Sequence, residues 1–138
     1  MRIIGIDFGQ KRIGIAVSDP LKIIASPVKT LSRTTEEDDL KKIDEVIKSY
    51  EAATVVVGLP KNMDGTEGQS AALAKDFAQK IKDKSAVEIV FKDERMSSQS
   101  AERVLDEANM HWKKRKEVVD TIAAQIILQS YLDMCSRN

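Results

Sequence analysis

The chain has 138 residues, 42% of them hydrophobic, which suits one domain spanning 1–138 with a core of its own. Its 22 basic and 22 acidic residues cancel, which excludes a generic polyanion binder, and its one cysteine, Cys135, excludes an internal disulfide and fits a reducing, cytoplasmic setting. No apolar run approaches the ~20 residues of a membrane helix, and the N-terminus reads as a core strand rather than a leader, so neither membrane insertion nor secretion is expected.

Charge is unevenly distributed. Residues 1–33 hold six basic and two acidic side chains, 34–108 hold 11 and 17, and 109–138 hold five and three. Basic ends brought together would make a local positive surface on a neutral protein.

In chain order, Ile3 to Ile6 is apolar or glycine on both faces, as in a strand buried on both sides, and it surfaces at Asp7 before Gly9. After Gly9-Gln10-Lys11 the pattern alternates strictly, with Ile13, Ile15 and Val17 on one face and Gly14, Ala16 and Ser18 on the other. The two runs form a hairpin, and the small face of the second admits a helix or ligand close to the backbone. A third strand is expected over Ile23 to Leu31, at the sheet edge because Pro27 cannot donate to a ladder. Glu36-Glu37-Asp38-Asp39 suits a helix start, followed by the stripe Leu40, Ile43, Ile47 and Tyr50. Thr54 to Gly58, β-branched without alternation, reads as an interior parallel strand reached by a helical crossover.

Leu59 to Gly65 is a loop at the end of that strand, and Thr66-Glu67-Gly68-Gln69 has the spacing of a capping box for a helix with the stripe Leu73, Ala74, Phe77, Ala78 and Ile81. Val87, Ile89 and Phe91 alternate as a strand delivering Lys92-Asp93-Glu94-Arg95, after which Ser97-Ser98 start a helix to about Asn109. Asn109 to Lys116, with the only tryptophan and the only histidine, reads as a basic loop suited to phosphate contact and base stacking, or as a solvated linker with Trp112 against the core. The final helix carries Val118, Val119, Ile122, Ala123, Ile126 and Ile127 at helical spacing and continues to Leu132. Asp120 interrupts that stripe, with Ala123 and Ala124 where a downstream cation would stand.

Three carboxylates, Asp7, Glu94 and Asp120, thus stand at a strand end, a strand end and a helix, outside evident salt-bridge patterns. Two like charges ~4 Å apart at an effective dielectric near 20 repel by about 4 kcal/mol, so a cluster of them calls for protons or a cation. Oxygen donors without a Cys/His set point to Mg²⁺ or Mn²⁺, and such ions support in-line displacement at a phosphodiester. Lys11, Arg12 and Arg95 lie beside the acids in sequence, and Lys113, Lys114, Arg115 and Lys116 add a basic cluster for substrate phosphates.

The motifs GIDFGQKRIGIAVSD at 5–19, VVGLPKNMDGTEG at 56–68, DERMSS at 93–98 and VVDTIAAQIILQSYL at 118–132 together resemble the YqgF/RuvX family. Its members are described as Holliday junction resolvases and as pre-16S rRNA nucleases, within the RNase H-like superfamily. The resemblance places the family's catalytic acids on Asp7, Glu94 and Asp120. It implies an α/β fold, a mixed five-stranded sheet of three antiparallel and then parallel strands with helices on both faces. It further implies a metal-dependent endonuclease acting on pre-16S rRNA or on branched DNA, with RNA processing favoured, and a pre-ribosomal particle as a partner. A monomer or weak homodimer is expected. Two readings compete: a non-catalytic RNA-binding module of ribosome assembly, and a nucleotide-binding domain, because the Asp-x-Gly hairpin also resembles the first phosphate loop of actin and Hsp70 ATPases.

Overall fold

The computed structural model describes residues 1–59, 68–93 and 112–136, with 112–120 and 136 as backbone alone. Strands β1 (Arg2–Phe8) and β2 (Arg12–Ser18) pair antiparallel around a short turn, and β3 (Ala25–Ser32) pairs antiparallel with β2. β4 (Ala52–Leu59) and β5 (Glu88–Asp93) add in parallel on the other side of β1, giving the order β3-β2-β1-β4-β5. This is the mixed five-stranded sheet expected. Its parallel half follows from the helical crossovers through α1 (Glu36–Ser49) and α2 (Gln69–Ser85).

One face buries Ile4, Ile6, Ile13 and Ile15 against Ile43, Val46 and Ile47 of α1 and Phe77, Ala78 and Ile81 of α2. The other packs Ile3, Ala16 and Val56 against Ala124, Ile127, Leu128 and Leu132 of α3 (Trp112–Ser136). The small face of β2 is therefore what receives the last helix, as its composition predicts.

Several boundaries differ from expectation for identifiable reasons. β3 starts at Ala25, because Ile23 and Ile24 instead form a loop whose N–H groups donate to Asp19 Oδ1 at 2.7 and 2.9 Å. These bonds hold the Asp19 carboxyl below its usual range. α2 starts at Gln69 with Gly68 as its cap, and Thr66 and Glu67 of the expected capping box lie outside the described residues. Its buried stripe is Ala71, Ala74, Phe77, Ala78 and Ile81, while Leu73 is exposed, since position 73 lies a residue off that face. Of the segment Asn109 to Lys116, expected as a loop, Trp112 to Lys116 is helical and belongs to α3, consistent with straight-chain Lys and Arg residues uninterrupted by Gly or Pro, while 109–111 lie outside the described residues. The helix expected over Ser97 to Asn109 lies outside the described residues.

The acidic start of α1 is more than a dipole match. Thr35 caps it by accepting from the Asp38 N–H at 3.1 Å, but Asp39 is buried and pairs with Arg33 at 3.1 Å. Asp44 ties α1 to α2 by accepting from Ser85 at 2.7 Å while pairing with Lys48.

Candidate functional site

Asp7 is positioned by a row of residues across the sheet. It pairs with Gly14 of β2, and Gly14 pairs with Thr30 of β3. Directly opposed residues project to the same face, and Thr30 meets the Thr121 hydroxyl of α3 in a short hydrogen bond. Asp7 therefore belongs to the α3 face, in step with Gly5 two residues earlier. On its other side the row continues through Gly58, the residue after Val57 that pairs with Ile6, and through Lys92, the partner of Gly58. The two positions directly opposite Asp7 in the sheet are thus both glycine. Asp7 itself is half-buried near the carboxyl end of β1.

α3 runs back along this face, antiparallel to β1 and β3. Thr121 stands over Thr30, Gln125 donates to the Ala25 carbonyl at 3.1 Å, and Gln129 accepts from the Ala25 N–H at 2.8 Å and donates to Ile23 at 2.9 Å. Gly5 lets it approach: a Cβ there would stand 2.7 Å from Leu128 Cβ and 3.1 Å from the Ala124 carbonyl. Position 120 is thus one turn before the Gly5 contact and next to Thr121, on the side of the sheet that carries Asp7. Positions 113–116 lie roughly 6–10 Å further along the helix from position 120, toward the strand ends.

β5 ends at Asp93, opposite Leu59 at the end of β4. As β1, β4 and β5 are parallel, these ends share one edge with Asp7, with β4 between, so β1 and β5 lie about 10 Å apart. Glu94 and Arg95 follow directly but lie outside the described residues, as do the side chains of Asp120, Lys113, Lys114, Arg115 and Lys116. Among the described residues no three Asp, Glu, His or Cys side chains gather into a metal-holding group.

The turn between β1 and β2 brings the expected cations to the same end. Lys11 is exposed and Arg12 half-buried. Gly9 closes the turn by donating to the Arg12 carbonyl at 2.9 Å, and a Cβ at Gly9 would stand 2.7 Å from that oxygen, which explains the glycine.

Two features of this region carry little or no local signal in the sequence. Gly5 is an isolated glycine in an apolar strand, a signal of close backbone approach that was available. Arg33, whose guanidinium donates to the Gly9 carbonyl at 3.3 Å and lies 4.5 Å from the Phe8 ring, had no local signal, because its partners are distant in the chain.

The sequence model of a family described as "RuvX: Holliday junction resolvase" matches residues 1–134. A relative in Clostridium beijerinckii, named "Putative pre-16S rRNA nuclease", is 45% identical over 137 residues, covering 99% of both chains. Among solved structures, Thermus thermophilus RuvC in complex with a Holliday junction substrate superposes with a TM-score of 0.64 at 13% identity, covering 100% of this chain and 97% of that one. The Fowlpox virus resolvase in complex with Holliday junction DNA gives a TM-score of 0.61 at 12% identity, covering 98% and 99%. At such identities the structures speak for the fold, which is that of RNase H-like resolvases. The whole-length match to the family's sequence model and the 45% identity decide the rest: this chain belongs to the RuvX family.

Proposed function

We propose that the chain is a metal-dependent endonuclease of nucleic-acid phosphodiesters, a single domain over 1–138 that processes the 5′ end of pre-16S rRNA. The observation that carries this is the placement of Asp7: half-buried at the carboxyl end of β1, flanked by Gly14 and Gly58, on the face where α3 brings position 120 near. The name of the Clostridium beijerinckii relative favours the RNA substrate. The two structural neighbours that hold Holliday junction DNA favour a second reading, resolution of branched DNA.

In this reading Asp7, Glu94 and Asp120 are both the catalytic acids and the metal ligands. Their donor set is all oxygen, which fits Mg²⁺ or Mn²⁺, and the lone Cys135 is at the far end of α3 from Asp7. When bound, the ion supplies Lewis-acid charge that activates a water and stabilises the attacking and leaving oxygens. The chain's own contribution is placement. β1 is a central strand paired on both sides, so the Asp7 carboxylate is held on a rigid backbone. Lys11, Arg12, Arg95, Lys113, Lys114, Arg115 and Lys116 hold substrate phosphates and orient the scissile bond. The setting is cytoplasmic, as monomer or weak homodimer, with a pre-ribosomal particle as partner. Among the described residues no helix is long and apolar enough to cross a membrane.

The test is side-by-side incubation of a precursor 16S rRNA fragment and a four-way DNA junction with the protein, in Mg²⁺ or EDTA. Mg²⁺-dependent cleavage of the RNA supports the proposal, and cleavage confined to the junction supports the second reading. RNA binding without any cleavage would mark a non-catalytic assembly module.

A further inference from the structure

Arg33 follows directly on β3 and reaches the β1–β2 turn from outside. Its backbone N–H donates to the Lys11 carbonyl at 2.9 Å, and its guanidinium donates to the Gly9 carbonyl at 3.3 Å. One residue thus grips the turn at two points. The guanidinium face lies 4.5 Å from the centre of the Phe8 ring and 5.6 Å from that of Phe77, and the two rings stack at 4.5 Å with 20° between their planes. Its Nε donates to Asp39 Oδ2 at 3.1 Å. Asp39, only 1% exposed, also accepts from the Thr34 N–H at 3.2 Å.

We infer that Arg33 is a positioning residue for the Asp7 site: held by the buried Asp39 carboxylate, its guanidinium clamps Phe8 and Gly9 and so fixes the direction in which Asp7, Lys11 and Arg12 are presented. The inference rests on the nuclease reading for its catalytic consequence, but the clamp itself is a matter of this geometry alone. Asp7 is bonded to Phe8, and Lys11 and Arg12 lie within the loop whose ends Arg33 ties. Freedom at Phe8 or Gly9 passes directly to the carboxylate before them and the cations after them.

Only a planar guanidinium can do this. It offers one edge N–H to the carboxylate, a second to the Gly9 carbonyl, and its face to the Phe8 ring at the same time. A lysine ammonium keeps the charge beside Asp39 but has no plane to lay on Phe8 and no fixed fork to span the two acceptors. An ion pair serving stability alone would have no use for the contacts to the turn. Arg33 also borders a cavity of about 180 Å³ with Phe8, Gly9, Gln10, Ser70 and Leu73, so the clamp stands at the open rim of the sheet rather than deep in its core.

The experiment compares wild type, Arg33→Lys, and the double variant Arg33→Gln/Asp39→Asn, which removes both charges so that no buried carboxylate is left alone. Three quantities are read: thermal stability, amide hydrogen exchange at Gly9 and Arg33, and kcat and KM for Mg²⁺-dependent cleavage well below the melting temperature. Arg33→Lys should melt close to wild type, exchange its Gly9 amide at least about tenfold faster, and lose about 10- to 100-fold in kcat with little change in KM. The double variant should show the same exchange and kcat losses whatever its stability. Wild-type exchange at Gly9 together with wild-type kcat in Arg33→Lys overturns the inference, as does a uniform loss of protection across the sheet with kcat unchanged. If the wild-type protein cuts neither RNA nor junction DNA, the nuclease reading falls. The Gly9 amide then decides the clamp alone: faster exchange upholds it and unchanged exchange refutes it.

Discussion

A Cβ placed on Gly5 would stand 2.7 Å from the Leu128 Cβ, so β1 and α3 meet at a distance that only glycine allows. That contact sets the height of α3 above the sheet two residues before Asp7. The atom met is a Cβ, fixed to the helix backbone, so the helix itself would have to move. Gly5→Ala should therefore destabilise by about 1–3 kcal/mol in denaturant unfolding. If α3 carries a site residue at position 120, cleavage should fall further than the remaining folded fraction explains. An alanine variant of unchanged stability and activity would mean that α3 is free to shift without consequence.

Lys11→Ala/Arg12→Ala should weaken binding of nucleic acids of every sequence alike and reduce the slope of log affinity against log salt by about one to two. Both residues stand at the turn beyond Asp7, where a backbone phosphate rather than a base edge is the expected contact. A titration of two unrelated single-stranded RNAs over a range of KCl concentrations measures this. Loss confined to one sequence would contradict it.

Stability should decline in acid through the α1–α2 contact. The Asp44 carboxyl lies below its usual range, chiefly because Lys48 and Ser85 hydrogen-bond to it. A carboxylate whose folded pKa is depressed contributes stability that is fully present above the unfolded value of 3.8 and is lost as pH falls through the lower folded value. Asp44→Asn should thus narrow the difference from wild type as pH drops below 3.8, in urea unfolding followed by circular dichroism. A gap that stays constant from neutral pH to below that range would show that the charge of Asp44 is not involved.

The elements legible in the sequence were those fixed by period and composition. The alternation of Ile13, Ile15 and Val17 against Gly14 and Ala16 marked both the hairpin and the face that α3 covers. Pro27 marked β3 as an edge strand. Contacts joining distant segments were less visible. Arg33 reads locally as one more surface cation, and its grip on Gly9 emerges only once β3 lies beside the hairpin. Asp39 reads locally as part of an acidic helix start, yet it is buried and pairs with that same arginine, which lies outside the helix. In Trp112 to Lys116 the charge and the aromatic suggest a loop, whereas Lys and Arg are good helix formers and the segment is helical. At the candidate site, Asp7 could be placed by its strand and its neighbours, while the roles of Glu94 and Asp120 rest on motif resemblance.

The most direct test of the account is Asp7→Asn, which keeps the side-chain shape and removes the charge that would hold a cation. The measurement is cleavage of a precursor 16S rRNA fragment by wild type and variant across a Mg²⁺ titration, with RNA affinity measured in EDTA. The account predicts Mg²⁺-dependent cutting by wild type, none by the variant at any Mg²⁺ concentration, and closely similar RNA affinity for both. A folded Asp7→Asn protein that cuts the RNA at the wild-type rate would contradict it, and Asp7 would no longer be the centre of the site.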